Sequence, residues 1–272
     1  MLAIGVFDSG LGGLTVLFRI RERLPDLPII YLGDNANAPY GTRSSEEIYQ
    51  MTCKGVKVLF EKGCKLVIIA CNTASAVALR KMQEEWVPND KRVLGVFVPL
   101  IEKITERQWG DNSPPRKVSI RDVALFATPS TVASKAFERA LGFRAIGVNV
   151  ESQPCDGLVD AIELGDLYLA EQLVKLYVNQ LLQRLPKPEI IVLGCTHYPL
   201  VSNFFQKYFE KGVQMLDHAD IVAESLKDYL IRHPDKVGEM TNSICLTTGD
   251  PLYVKEKASM LAGIEVKFDK AD

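Results

Sequence analysis

What this sequence has little of narrows its possible roles first. Its charges nearly cancel, with 32 lysines and arginines against 34 aspartates and glutamates and a formal net charge of -2 over 272 residues. Nucleic acid and anionic membrane surfaces both need a concentrated basic face, so neither is expected as a partner. The longest apolar stretches, such as Leu66 to Cys71, fall far short of the roughly 18 residues of a membrane-spanning helix. The opening MLAIGVFDSG lacks a basic n-region and meets an acid at Asp8, so it reads as a strand rather than a signal peptide, and the cytoplasm is the expected compartment. Six cysteines are too few for a disulfide scaffold, no two have CxxC spacing, and in that compartment they are expected as thiols. The three histidines, His197, His218 and His233, form neither HxxxH nor HExxH, so no metal site is expected.

What is there is ordinary globular material, 47% hydrophobic, long enough for one large α/β domain or two smaller ones. Short runs rich in Val and Ile recur between longer amphipathic stretches, the pattern of βα units around a parallel sheet. Strands are expected at Ala3 to Asp8, Pro28 to Gly33, Lys65 to Ala70, Val93 to Val98, Val123 to Ala127, Phe143 to Val148, Ile190 to Gly194 and Val213 to Leu216. Helices are expected at Leu14 to Arg23, at Ser45 to Glu61 with Ser44 and Glu47 as a capping box, and at Tyr168 to Leu185. Arg107 to Arg121, with Gly, Pro-Pro and no periodicity, reads as a loop between two halves.

Two internal matches suggest that the halves are related. LVIIACNTASA at 66–76 and IIVLGCTHYPL at 190–200 share one grammar: an aliphatic strand, a small residue, Cys, polar residues, then a helix start. IGVFDSG at 4–10 likewise resembles VALFATPST at 123–131. Ligands of open parallel sheets bind beyond the carboxyl ends of the strands, and Asp8, Ser9, Cys71, Asn72, Cys195 and Thr196 all fall at such ends.

A lone cysteine at a strand end is ordinarily packing, but two in matched settings, each before helix-start amides that favour a thiolate, point to chemistry. Related by an approximate twofold, the two thiols approach one crevice from opposite sides, as a reaction with a base on one face of a carbon and an acid on the other requires. Racemisation is such a reaction. Cys53, Cys64, Cys155 and Cys245 lack this context and read as packing. DSGLGG at 8–13 invites a dinucleotide reading, but Thr15 stands where the third glycine belongs. A tight turn bringing amides to a small anion at a helix N-terminus is the better use of those glycines. Amides around Tyr40 could hold a carboxylate, and His197, two residues after Cys195, could raise its thiolate fraction or deliver a proton.

Together FDSGLGGLTV, GDNANAPYGTRS, ACNTASA and LGCTHYPL resemble the glutamate racemases of the aspartate/glutamate racemase family, from residue 4 to about 200. The resemblance implies an α/β fold of two pseudo-symmetric domains, each a mostly parallel sheet flanked by helices, with the active site in the cleft between them. The expected division is 1–95 plus roughly 208–272 for the first domain and 96–207 for the second. It implies interconversion of L- and D-glutamate without cofactor or metal, supplying D-glutamate for bacterial peptidoglycan, and a homodimer. Carried over, Cys71 and Cys195 match the acid/base cysteines, and Asp8 and His197 the groups that assist them. Ser9, Tyr40, Gly41, Asn72, Thr73 and Thr196 match positions that hold the substrate, with Thr128 and Thr131 as a looser hydroxyl pair. Where the family has an LVE segment whose glutamate supports the second thiol, the chain reads Leu158, Val159, Asp160, a shorter acid, and Glu163 is too far along to be expected in its place. Aspartate racemase, a noncatalytic binder of dicarboxylic amino acids and, more weakly, a cysteine hydrolase are the alternatives.

Overall fold

The computed structural model of the chain describes residues 3–107, 110, 111, 113–236, 243–263 and 265–271. Its strands are β1 (Ile4–Asp8), β2 (Ile29–Gly33), β3 (Leu66–Ile69), β4 (Arg92–Gly95), β5 (Arg116–Lys117), β6 (Asp122–Ala127), β7 (Ala145–Ile146), β8 (Asn149–Pro154), β9 (Ile190–Gly194), β10 (Gln214–Leu216), β11 (Ile244–Thr247) and β12 (Phe268–Lys270). They form a six-stranded sheet ordered β12-β11-β2-β1-β3-β4, a four-stranded sheet ordered β10-β9-β6-β8, and a small β5-β7 pair. Every pairing in the two larger sheets is parallel. Strands wholly enclosed between helices must be apolar throughout, and IGVFD, IIYLG, LVII and IIVLG are buried along their whole lengths.

The sheet orders show how the halves are related. In the first unit β1 lies between β2 and β3, with β4 beyond β3; in the second, β6 lies between β8 and β9, with β10 beyond β9. Numbered within each unit, both read 2-1-3-4. The first and third strands flank the point where the chain's progress across the sheet reverses, the place where open α/β sheets take ligands. Asp8 ends the first strand and Cys71 follows the third in one unit, while Thr128 and Cys195 follow the same strands in the other.

Local chemistry explains the helices that carry these loops. The helix Ser45–Glu61 begins with a reciprocal capping box, in which Glu47 N donates to Ser44 Oγ at 3.3 Å and Ser44 N donates to Glu47 Oε2 at 3.0 Å. Such a cap is typically worth about 1 kcal/mol. Gly55 in its middle is there for packing, since a Cβ at that position would lie 2.2 Å from the Phe7 ring. The largest group of buried apolar side chains runs from the first sheet (Ile4, Val6, Ile68) to the second (Val123, Leu125, Val192). Phe97 and Phe137 meet edge to face within it, with centroids 5.8 Å apart.

Two expectations about strands are corrected. The strand expected at Val93 to Val98 stops at Gly95, and Phe97–Thr105 is a helix burying Phe97, Leu100, Ile101 and Ile104 at helical spacing. The strand expected at Phe143 to Val148 shrinks to Ala145–Ile146, pairing with Arg116–Lys117, because Phe143 and Ile146 are exposed. The sheet strand is the polar edge segment NVESQP at Asn149–Pro154. The strand β10 pairs with β9 in the second sheet, and β11 then joins the first sheet beside β2. In the loop, Gln108, Trp109 and Asn112 lie outside the described residues, and the buried Arg107 ties the rest together by donating to the carbonyls of Ser113 and Pro114.

Candidate active site

The first unit brings Asp8, Ser9, Tyr40, Gly41, Cys71, Asn72 and Thr73 to the carboxyl edge of its sheet. Cys71 ends the extended run of β3 and caps the helix Asn72–Val77, its Sγ accepting from Ala74 N at 3.4 Å and lying 3.2 Å from Ser9 Oγ. Burial pushes the Cys71 thiol up to about 12, and the neighbouring Asp8 adds to the shift. Asp8 is fully buried; its Oδ2 accepts from Gly10 N at 2.9 Å while Oδ1 has no partner among the described residues. Burial raises its carboxyl above the usual range, partly offset by His197. Tyr40 points its hydroxyl away from this chemistry, donating to Asp34 Oδ2 at 2.5 Å. What it offers the cleft is its wall and the turn behind it.

Across the cleft, Thr128 Oγ1 lies 2.9 Å from both Thr73 Oγ1 and Thr131 Oγ1, so one buried hydroxyl cluster spans the two units. Cys195 follows Gly194 at the end of β9, with its Sγ 3.9 Å from His197 Nδ1. The opposite ring nitrogen, Nε2, lies 2.8 Å from Glu163 Oε1. Burial alone would strip the proton from His197, but the bonds to Cys195 and Glu163 hold its pKa well above the ordinary value. For Glu163, burial would favour the neutral acid, yet the His197 bond and Lys257 hold its pKa below the ordinary value.

Here the structure departs from the expectation about acids. Asp160 is exposed at the rim of the cleft, and it is Glu163 that reaches His197. The two are three residues apart on the short helix Leu158–Glu163 and share a face, so the longer side chain one turn on makes the contact. Cys155, expected as plain packing, lines the same cleft and is buried.

The units close tightly around this site. A Cβ at Gly12 would lie 2.3 Å from Thr196 Oγ1 and 2.6 Å from His197 Nδ1, and one at Gly13 would lie 2.4 Å from Asp8 Cβ. Gly12 therefore makes room for Thr196 and His197 of the second unit, a use its turn-like spacing did not disclose, while Gly13 lets the turn pack on Asp8. Gly12→Ala is expected to destabilise the closed arrangement by about 1–3 kcal/mol, the usual range for overpacking. Thermal unfolding and KM measured together check this, because the variant should raise KM as well as lower Tm. Thr15 Oγ1 donates to the Gly12 carbonyl at 2.8 Å and lies 3.4 Å from the Thr196 carbonyl across the seam. The space left between Cys71, Thr73, Thr128, Cys195 and His197 is a small cleft of about 40 Å³.

One contact had no signal in the sequence beyond the presence of a histidine. His218, at the start of the helix His218–Arg232, is buried with Nε2 2.7 Å from Asn72 Nδ2. Among the described residues no group of three or more His, Cys, Asp or Glu side chains is placed to hold a metal ion, and no helix is long and apolar enough to cross a membrane.

Comparison with known proteins fits this geometry. Residues 15–226 match the family model described as Asp/Glu/Hydantoin racemase. A glutamate racemase of Paracoccus denitrificans is 60% identical over 270 residues, 99% of this chain and 100% of that protein. Among solved structures, glutamate racemase isoform RacE1 from Bacillus anthracis superposes with a TM-score of 0.82 at 31% identity, covering 99% of this chain and 97% of that one. A Francisella tularensis glutamate racemase in complex with D-glutamate gives 0.82 at 28% identity, covering 98% of this chain and 95% of its own. With two parallel α/β units, a thiol at the matched strand end of each and a family match over most of its length, the chain belongs to the Asp/Glu/Hydantoin racemase family.

Proposed function

We propose that this protein interconverts L- and D-glutamate by deprotonating the α-carbon on one face and reprotonating it on the other, with Cys71 and Cys195 alternating as base and acid. The observation that carries this reading is that both thiols line one cleft from the equivalent strand ends of two related units. The relatives named as glutamate racemases, alike over the whole chain, support glutamate as the substrate.

The surroundings suit the chemistry. An α-proton is weakly acidic, and a thiolate whose burial makes it costly to form is a correspondingly stronger base once formed. On the first face Ser9 Oγ lies 3.2 Å from the Cys71 sulfur, and Asp8 stands near enough for its charge to raise the thiol's pKa. On the second, a protonated His197 donates from Nε2 to Glu163 and turns Nδ1–H toward the Cys195 sulfur, so a proton is held ready there. Ser9, Asn72, Thr73 and Thr196, with the loop amides near Tyr40 and Gly41, supply the polar contacts that hold the substrate's charged groups in place of water. Enclosure strengthens each of those contacts and keeps solvent from quenching the carbanion.

A homodimer, a cytoplasmic location and a role in supplying D-glutamate for peptidoglycan accompany this reading. The six buried free thiols support the location, since the two reactive ones need a reducing compartment. Side-by-side turnover followed by circular dichroism tests the substrate. Glutamate should exceed aspartate in kcat/KM by about 10- to 200-fold, the usual worth of one methylene in a fitted site. Faster turnover of aspartate overturns the substrate assignment. Absence of α-proton exchange in deuterium oxide overturns catalysis altogether and leaves a binding module.

A further inference from the structure

The contact between His218 and Asn72 joins the start of a helix from the chain's last third to the residue directly after Cys71. Both side chains are buried, and Asn72 also lines the cleft. The amide nitrogen of Asn72 carries only protons to offer, so at 2.7 Å His218 Nε2 is the accepting, unprotonated ring nitrogen and the ring proton is on Nδ1. Burial keeps this imidazole neutral, with its pKa lowered to about 4, so the lone pair persists across the ordinary pH range. Nδ1 has no partner among the described residues, which leaves Asn72 as the one hydrogen-bonding contact recorded for the ring.

The consequence falls on the far end of the amide. A half-turn of the Asn72 side chain would set its oxygen against Nε2, a pairing that requires the ring proton to move from Nδ1 to Nε2. With Nδ2 held by His218, Oδ1 is left as a buried acceptor without a partner among the described residues. Buried polar atoms of this kind call for a donor. The donor that a racemase substrate brings to the residue beside the thiol is its α-ammonium, and that group must stay charged for the carbanion to be stabilised. A neutral amide oxygen can hold it without taking its proton.

We propose that His218 is a positioning residue for the reaction: by accepting from Asn72 Nδ2 it presents Asn72 Oδ1 as the acceptor for the substrate's ammonium group. This rests on the cleft being the glutamate site, and the two can fail separately.

The test pairs kinetics with nitrogen-15 NMR of the histidine ring in the whole wild-type protein. The expected spectrum shows His218 as the Nδ1–H tautomer, with a change at Nε2 when glutamate is added; an Nε2–H tautomer overturns the proposal. His218→Leu, which keeps bulk but has no acceptor, should raise KM about tenfold for both enantiomers, the worth of one such bond, with a smaller change in kcat. His218→Gln, whose side-chain oxygen can accept from Asn72, should recover most of the loss. Equal kinetics for Leu, Gln and wild type, with a change only in Tm, would show a merely structural role and overturn the proposal. If His218→Leu does not fold, the tautomer and the Gln variant still decide. If the wild type racemises no glutamate, the reading of the cleft falls, while the tautomer still reports on the His218–Asn72 bond.

Discussion

Replacing either Cys71 or Cys195 by serine should lower racemisation in both directions by about 10²- to 10⁴-fold, the usual contribution of a positioned acid or base. Each direction uses one sulfur as base and the other as acid, so neither variant can spare one enantiomer. A hydroxyl in place of the thiol is a far weaker acid, and the burial that raises the Cys71 pKa would penalise an alkoxide still more. The double variant should be little worse than the singles, because groups that act as a unit do not add. A finer signature separates the faces. A variant with one intact thiol retains a base on one side only, so it should wash deuterium into one enantiomer faster than it racemises it. Optical rotation and proton NMR in deuterium oxide measure both quantities. Substantial racemisation by the double variant would remove the two-thiol mechanism.

Glu163→Gln should lower kcat/KM by about 10- to 100-fold, comparable to the loss of other orienting partners behind a catalytic group. The amide can still meet the His197 ring, but it no longer attracts the imidazolium charge. The pKa of His197, raised in part by Glu163, should therefore fall, which ring-proton NMR across a pH series would show. Stability follows with a definite sign. His197 is raised above its ordinary 6.5, so its contribution is full below that pH and is lost as pH rises through the folded value. Glu163 is lowered below 4.5, so its contribution is present above that pH and is lost as pH falls through the folded value. Wild type and variant should thus differ most in urea unfolding between about pH 4.5 and 6.5, and converge on either side. The same substitution in the exposed neighbour, Asp160→Asn, should leave the His197 titration nearly in place. The opposite pattern would return the supporting role to Asp160.

Much of this arrangement was legible from the residues alone, for physical reasons. Strands buried on both faces leave unbroken apolar runs, so β1, β2, β3, β6 and β9 were visible, and with them the residues at their carboxyl ends. β8 was not, because an edge strand half open to solvent reads NVESQP, with neither a run nor clean alternation. β11 and β12 are four and three residues long and owe their place to pairing with β2 and with each other, which no local pattern carries. Among site residues, Asp8, Cys71 and Cys195 could be found from position along a strand. Glu163 was missed because the choice between it and Asp160 depends on helix phase and side-chain reach, not on which acid completes a familiar triplet. His218 was missed because its partner is 146 residues away and nothing local marks it. Gly12 was read as a turn former, whereas its missing side chain leaves room for atoms of a different unit.

Cys71 is both a proposed reacting atom and the cap of the helix Asn72–Val77, since the Ala74 amide donates to its sulfur. A thiolate accepts that bond more strongly than a thiol. After each conversion the two sulfurs have exchanged protonation states, so the empty enzyme carries a record of which enantiomer it last released until its protons redistribute. That record is written into the backbone: the Ala74 N–H is held tighter in one form than in the other. A single amide far from any solvent-exposed handle becomes an internal clock for the recovery step, able to show whether the protein resets before the next substrate arrives.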